Sequence, residues 1–368
     1  MTNVPPVMVK NGVPANATQV VFPPFTSPPT ANWEPNYPDF DDRSAASNGV
    51  YDECGAPILY VVNDDVFDDQ GNNTGNLKLK DFWIKWDDPS DPYDIGQPEL
   101  TENFEAPIFS FSSSPDVYYL VYSDCSLLDG STVQIAVYDA SGTSPSFSQN
   151  LNEAFFLLKS DLGSQLRFAI SKESQNSRTI YVVDNRNRLT AIDIASTGLP
   201  TGITILNQGS SVGAGFLQPE LELSHDGRKL VWANRLVPNT IIHFYDLPSG
   251  VHSTFELSPG ATELISGLEW LPDGRLAISA KWNASFSAFN GVCIFNQAMT
   301  SLNHVSNSEY YTFAMLELGV GKNLLYANKG FSNGSGPAIT AINTQNATLF
   351  PAYSISQNSY LPASCTRE

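Results

Sequence analysis

The sequence predicts an all-β protein: a β-propeller of six or seven blades of four-stranded antiparallel sheet, with a Pro-rich N-terminal arm. Two observations carry this reading. A hydrophobic strand–turn–strand pattern recurs six times, and helical periodicity is almost absent. The paired runs open at Ile58, Tyr118, Ile180, Leu230, Leu276 and Leu324, spaced 60, 62, 50, 46 and 48 residues apart. An all-β unit recurring at about 40–50 residues is the mark of a propeller blade.

Taken in chain order, residues 1–44 are rich in proline and predict an extended surface arm. Within it residues 19–22 have strand character. They are expected to close the ring by pairing with the last unit near 349–354, because an open ring leaves two sheet edges unpaired. Residues 45–354 make the propeller and 355–368 a tail. The first unit runs from ILYVV at 58–62 into Val66 and Phe67. The five later units each carry an apolar run ahead of the pair, at 106–111, 166–171, 217–224, 264–271 and 312–318, which supplies an inner strand. Ser224-His225-Asp226-Gly227, Pro272-Asp273-Gly274 and the stretch 184–187 fall between strands. A glycine after the aspartate gives the positive φ a tight turn needs. Residues 151–162 fit an amphipathic helix or an outer strand equally. A seventh blade is expected inside one of the longer first spacings.

The net charge is −19 and charged residues are 15% of the chain, against about 25% in ordinary soluble domains. With no basic run, nucleic acid and anionic lipid are excluded as partners. No apolar run reaches the roughly 18 residues of a membrane span, which argues against membrane insertion. Cys54, Cys125, Cys293 and Cys365 show no zinc-ligand spacing. Their even number in an acidic, Asn/Ser/Thr-rich chain predicts one or two disulfides; for Cys293, inside a strand run, the other reading is an inert buried thiol. An extracellular or cell-surface location is expected, although Met1 to Val4 has neither the basic nor the apolar region of a signal peptide.

The run Ser224-His225-Asp226-Gly227-Arg228-Lys229-Leu230-Val231-Trp232-Ala233 resembles the PD40/TolB-type propeller repeat. The order of motifs, with CGAPILYVVNDDVFDDQG at 54–71 opening one blade and PIFSFSSSPDVYYLVY at 107–122 the next, resembles the exported β-propellers of Bacteroidota associated with type IX secretion. The resemblance spans 45–345. It implies a secreted or surface scaffold and brings no established catalytic residues.

Four groups of residues bear on chemistry. Asp65, Asp69 and Asn73, with Gly71 between them, form an oxygen-rich hairpin of the kind that holds Ca²⁺. The spacing misses the D-x-D-x-D-G pattern, and side chains alternate along a strand, so solvated loop acid is the competing reading. Glu220, Glu222, Glu269 and Glu317 lie on inner strands, where carboxylates around a channel could act as acid and base on a polysaccharide; polar channel lining is the bland reading. Trp83, Trp86 and Trp282 fall outside the core strands and offer faces to a protein or glycan partner. Gly209-Ser210-Ser211-Val212-Gly213 matches G-x-S-x-G, but without the strand-to-helix setting that would make Ser211 a nucleophile. Of four histidines, His225 is expected in a turn and His243 as a satisfied side chain on a blade face. The expected function is a non-enzymatic binding or scaffold module. The rival expectations are a polysaccharide hydrolase or lyase, and a subunit of a larger surface or injection-type assembly.

Overall fold

The computed structural model describes residues 7–11, 17–21, 30–34, 46–51, 57–63, 65–76, 104–105, 107–126, 130–142, 146–149, 166–184, 186–209, 216–236, 239–257, 262–282, 291–306, 316–318, 324–328, 338–345, 353–354 and 359–360. Every regular element among them is a β-strand, and the strands form seven sheets.

Blade 1 holds β1 (Val7–Asn11), β2 (Ala17–Val21) and β3 (Thr30–Glu34). Blade 2 holds β4 (Ala46–Tyr51), β5 (Pro57–Asn63), β6 (Asp65–Asp68), β7 (Asn73–Asn76) and the short β8 (Phe104–Glu105). Blade 3 runs through β9 (Ile108–Phe111), β10 (Ser114–Ser126), β11 (Gly130–Asp139) and β12 (Ser146–Gln149). Blade 4 comprises β13 (Leu166–Ile170), β14 (Ser177–Asp184), β15 (Leu189–Ala195) and β16 (Pro200–Asn207). Blade 5 has β17 (Phe216–Leu223), β18 (Lys229–Leu236), β19 (Asn239–Asp246) and β20 (Val251–Glu256). Blade 6 has β21 (Thr262–Trp270), β22 (Leu276–Trp282), β23 (Gly291–Phe295) and β24 (Ser301–Ser306). Blade 7 has β25 (Leu316–Leu318), β26 (Leu324–Asn328), β27 (Ala338–Asn343) and β28 (Tyr353–Ser354). The final strand, β29 (Ser359–Tyr360), returns to blade 1 and pairs with β1.

Strand alternation explains why the blades stack. In blades 3 to 6 apolar side chains lie on both faces of the sheet, one set for the preceding blade and one for the following. Leu59, Val61 and Val66 of blade 2 meet Ile108, Leu120 and Tyr138 of blade 3. Phe109, Phe111 and Val121 on the other face of blade 3 meet Leu166, Phe168 and Ile180 of blade 4. The same device joins blades 4 and 5 through Val183, Leu189, Leu221 and Trp232, and blades 5 and 6 through Val231, Ile242, Leu268 and Ile278. Blades 6 and 7 meet through Ala277, Ile294, Leu316 and Leu325. The inner strands β13, β17, β21 and β25 lie side by side in that order.

The six units expected from sequence are blades 2 to 7. The seventh does not hide in a long spacing: it is assembled from both ends of the chain, which no search for a repeat period can detect. Three strands run where an extended arm is expected; Pro5 and Pro6 precede the first of them, and Pro14, Pro23, Pro24, Pro28 and Pro29 fall between them, none inside. Proline cannot donate to a ladder, so it punctuates these strands instead of breaking them. The closing pair also differs from expectation. β2 sits between β1 and β3, while β1 takes the terminal strand through Lys10↔Tyr360 and Asn11↔Ser359, and β28 pairs with β27.

The turn chemistry is as the sequence reads. Gly227 and Gly274 have φ of 70° and 81°, and their N–H groups close turns onto Ser224 O and Leu271 O at 2.7 and 2.9 Å. The stretch 151–162 lies outside the described residues.

Candidate functional site

The inner strands carry the charged side chains on the face toward the following blade. On β17, Leu221 and Leu223 pack on blade 4, so Glu220 and Glu222 alternate toward blade 6. Glu220 is buried at 7% exposure, and its Oε2 accepts the backbone N–H of Leu268 on β21. Glu269 is half-buried between Leu268 and Trp270, both of which pack on blade 5, and it pairs across β22 with Ala277. Glu317 alternates with Leu316 and Leu318, opposite Tyr326. Glu222, Glu269 and Glu317 are each the penultimate residue of an inner strand and so occupy matching positions, while Glu220 lies two residues earlier and its carboxylate is spent on joining one blade to the next. Arg167 on β13, which sequence reasoning passed over, is also buried, at 4%, and donates from Nη1 to Leu166 O at 3.0 Å. Its signal was a lone cation inside the apolar run LRFAI. The short β8 pairs parallel with β4 and lies beside β13 and β17, so backbone at 104–105 reaches the inner strands of three blades.

The densest set of chemically capable groups lies between blades 4 and 5. Trp232 and His243 face each other across β18 and β19, and His252 on β20 lies diagonally beyond. The three ring planes are parallel within 6°, with centroids 5.1 to 5.6 Å apart. His243 Nδ1 and His252 Nε2 approach to 3.1 Å, so one ring donates and the other accepts a single proton. Burial pushes the His243 imidazole down to about 3, and the neighbouring His252 adds to this. Burial also lowers His252, whose outer side is exposed. The expectation of a satisfied His243 holds at one nitrogen only: its Nε2 is buried without a hydrogen-bond partner.

Asn187 locks this group to blade 4. It sits in the β14–β15 turn with φ of 62°, a conformation asparagine tolerates better than most residues. Its Oδ1 accepts from Trp232 Nε1 at 3.0 Å and from Asn234 Nδ2 at 3.1 Å. Asn207 Nδ2 donates to its carbonyl at 2.9 Å, and Tyr245 OH reaches Leu206 O at 3.2 Å. The turn is held by Asp184, whose Oδ1 takes the N–H groups of Arg186 and Arg188 while Oδ2 pairs with the Arg188 guanidinium at 3.0 Å. Aspartate and asparagine three residues apart in a turn, as Asp184 and Asn187 are, make a readable signal; the partner in another blade is not.

At the expected calcium hairpin the organising carboxylate is Asp68, which the sequence did not single out. Asp68 Oδ1 accepts from Gln70 N and Asn72 N at 2.9 and 2.8 Å, and Oδ2 accepts from Asn72 Nδ2 at 3.0 Å. Asp69 is exposed and holds Gln70 Nε2, Asn73 Oδ1 accepts from Gly75 N, and Asp65 lies at the far end of β6 opposite Asn76. Among the described residues no three His, Cys, Asp or Glu side chains converge as metal ligands.

The expected disulfide does not involve Cys293. Its thiol is free, on β23 between Ile278 and His304, inside the apolar packing of blades 5 and 6, and burial pushes it up to about 12. Cys125 lies on β10 opposite Ser131, and Trp282 ends β22 opposite Thr262. Cys54, Cys365, Trp83, Trp86 and Ser211 lie outside the described residues.

No known family model and no curated relative matches the chain. Among solved structures, a protein from Lactobacillus plantarum aligns over 97% of this chain and 98% of its own, at 11% identity and a TM-score of 0.57. Oligogalacturonate lyase from Vibrio parahaemolyticus aligns over 67% of this chain and 72% of its own, at 10% identity and a TM-score of 0.37. The β-propeller domain of the Trilobed protease from Pyrococcus furiosus aligns over 67% and 70%, at 11% identity and 0.33. At these identities the first likeness extends to the fold and no further. With blades 2 to 7 joined face to face in chain order and the two ends of the chain meeting in the sheet of blade 1, the chain is a β-propeller.

Proposed function

We propose that this propeller is a non-enzymatic binding or scaffold module that works outside the cell or on its surface, as the resemblance to exported propellers implies. The observation that carries the reading is Glu220: the inner-strand carboxylate best placed for acid–base chemistry is buried and committed to the Leu268 N–H of the next blade. A general acid or base must reach the proton it transfers, and this group already holds a backbone donor. The buried imidazole of His243 is likewise shared with His252 against Trp232. The Glu220 carboxylate serves to hold blade on blade and the His243–His252 pair to brace blade 5, which leaves the turns and outer loops as the surface for a protein or glycan partner.

The test is turnover. Incubation with a panel of neutral and acidic polysaccharides, followed by reducing ends and by the ultraviolet absorbance of unsaturated uronate, should give a flat baseline. Glu220→Gln should lower stability and change nothing else. Cleavage by the wild type that disappears in a folded Glu220→Gln variant would overturn the reading and promote a hydrolase or lyase.

A further inference from the structure

Among the described residues, large exposed apolar side chains concentrate on one edge. Leu199, Ile203 and Ile205, at 36%, 38% and 45% exposure, lie on β16 or in the turn leading into it. β16 is the outermost strand of blade 4, hydrogen-bonded on one side to β15. Residues 194–219 contain no Asp, Glu, Lys or Arg, in a chain whose net charge is −19. Sheet edges are ordinarily guarded by charge, proline or bulges, because a bare row of N–H and C=O groups is a template for another strand. The neighbouring edge, β20, exposes one large apolar side chain, Val251 at 57%, and follows that rule beyond it with His252 and Glu256. On β16 the guards are Pro200 at one end and two register shifts, and these leave Gly202 to Ile205 as an uninterrupted ladder.

We propose that this edge pairs antiparallel with the same edge of a second copy of the chain, about a two-fold axis. An antiparallel edge is its own complement, which is the condition for an isologous interface. A register centred on Thr204 sets Ile203 of each chain opposite Ile205 of the other, so four isoleucines share one face of the joined sheet. Charge selects the occupant. A basic partner is drawn to the acidic loops, whereas two copies at −19 repel each other except where the surface is uncharged. A contact of one strand per chain belongs to the weak, reversible class of interfaces.

Sedimentation velocity of the intact chain, from about 1 to 100 µM, should show a concentration-dependent shift from monomer to dimer. The double variant Ile203→Lys, Ile205→Lys should stay monomeric over the same range with an unchanged melting curve. Cα atoms across an antiparallel pair lie about 4.5–5.5 Å apart, within the span of a disulfide. Thr204→Cys should therefore give an oxidised dimer above the wild-type background, and this arm decides the matter if the lysine variant unfolds. A wild type that is monomeric throughout, a dimer that survives the lysines, or no cross-link at position 204 overturns the proposal.

Discussion

Blade 4 is held by different physics on its two faces. Toward blade 3 it presents Leu166, Phe168, Ile180, Val182, Ile192 and Ile194 to an aromatic surface in which Phe109 stacks on Tyr119 at 5.3 Å and meets Phe111 edge-on at 5.6 Å. Polar groups lie at the margins of that contact: Arg178 sits 5.7 Å above the Phe109 ring, and Glu173 takes the N–H and hydroxyl of Ser112 at 2.7 and 2.8 Å. Toward blade 5 the apolar contact is interrupted by Asn187, Trp232, Asn234, His243 and His252, tied by directional bonds. The first face is stabilised by area, and many packings of similar volume would satisfy it. The second requires one orientation, because a misplaced blade leaves buried donors unpaired. A ring of blades needs both kinds of contact: area to hold, and direction to set the angle between neighbours.

The largest effect should come from Trp232→Ala. Trp232 is fully buried and serves both kinds of contact, so truncation should cost about 3–5 kcal/mol in denaturant unfolding. Phe168→Ala on the opposite face should cost a similar amount, but Trp232→Phe should lose more than a volume-conserving swap there, because it removes one of the two donors to Asn187 Oδ1. Equal losses for the two conservative swaps would erase the distinction between the faces.

Asn187→Gly isolates the directional term. Glycine keeps the positive φ, so the expected loss of about 1–3 kcal/mol is that of buried donors left without an acceptor. Asn187→Ala should lose more, by the added strain of a Cβ at that φ. Equal losses would mean that backbone strain is absent at this turn.

Acid should weaken the second face first. His243 titrates near 6.5 when unfolded and at about 3 in the folded chain, so between those values the unfolded state binds the extra proton. Its contribution is fully present above pH 6.5 and is lost progressively as the pH falls toward 3, with a slope of at most about 1.4 kcal/mol per pH unit. The hydrogen-bonded carboxylates of Asp139, Glu173 and Asp226, all held below their usual range, also weaken the fold in acid. Comparison with His243→Gln cancels them: unfolding free energies measured across this range should fall less steeply in the variant. Parallel curves would show that the imidazole pair is not the source.

The smallest effect separates two neighbouring aspartates at the blade 2 hairpin. Asp68→Ala should cost about 1–2 kcal/mol, as loss of a carboxylate that caps backbone N–H groups does, and Asp69→Ala less than about 0.5 kcal/mol, as at other exposed positions. Thermal unfolding of the pair checks this. A larger loss at Asp69, or one that calcium restores, would return the hairpin to consideration as a cation site.

The blade units from β4 to β28 were legible because their information is local. A period of two marks a strand, and Asp-Gly at 226–227 and 273–274 marks a turn, within a window of a few residues. Blade 1 was not legible, since its inner pairing joins Lys10 to Tyr360 and no period links them. The candidate site divides in the same way. The sequence places Glu220 and His243 on strands, yet Glu220 acts through Leu268 across the gap between blades, and His243 through His252 and Trp232 on neighbouring strands of its own blade.

By itself, then, the sequence determined an all-β repeat, the central strand pair of six units, the inner strand of five of them and the chemistry of their turns, because backbone preference and side-chain alternation act over neighbouring residues. Only the tertiary structure decided the seventh blade, the free thiol of Cys293, the lock of Asn187 on Trp232 across 45 residues, and that of Glu220 on Leu268 across 48. Those contacts exist where ring geometry brings two blade faces together. A buried polar group there takes whichever partner lies within hydrogen-bonding reach, and no local pattern encodes which one that is.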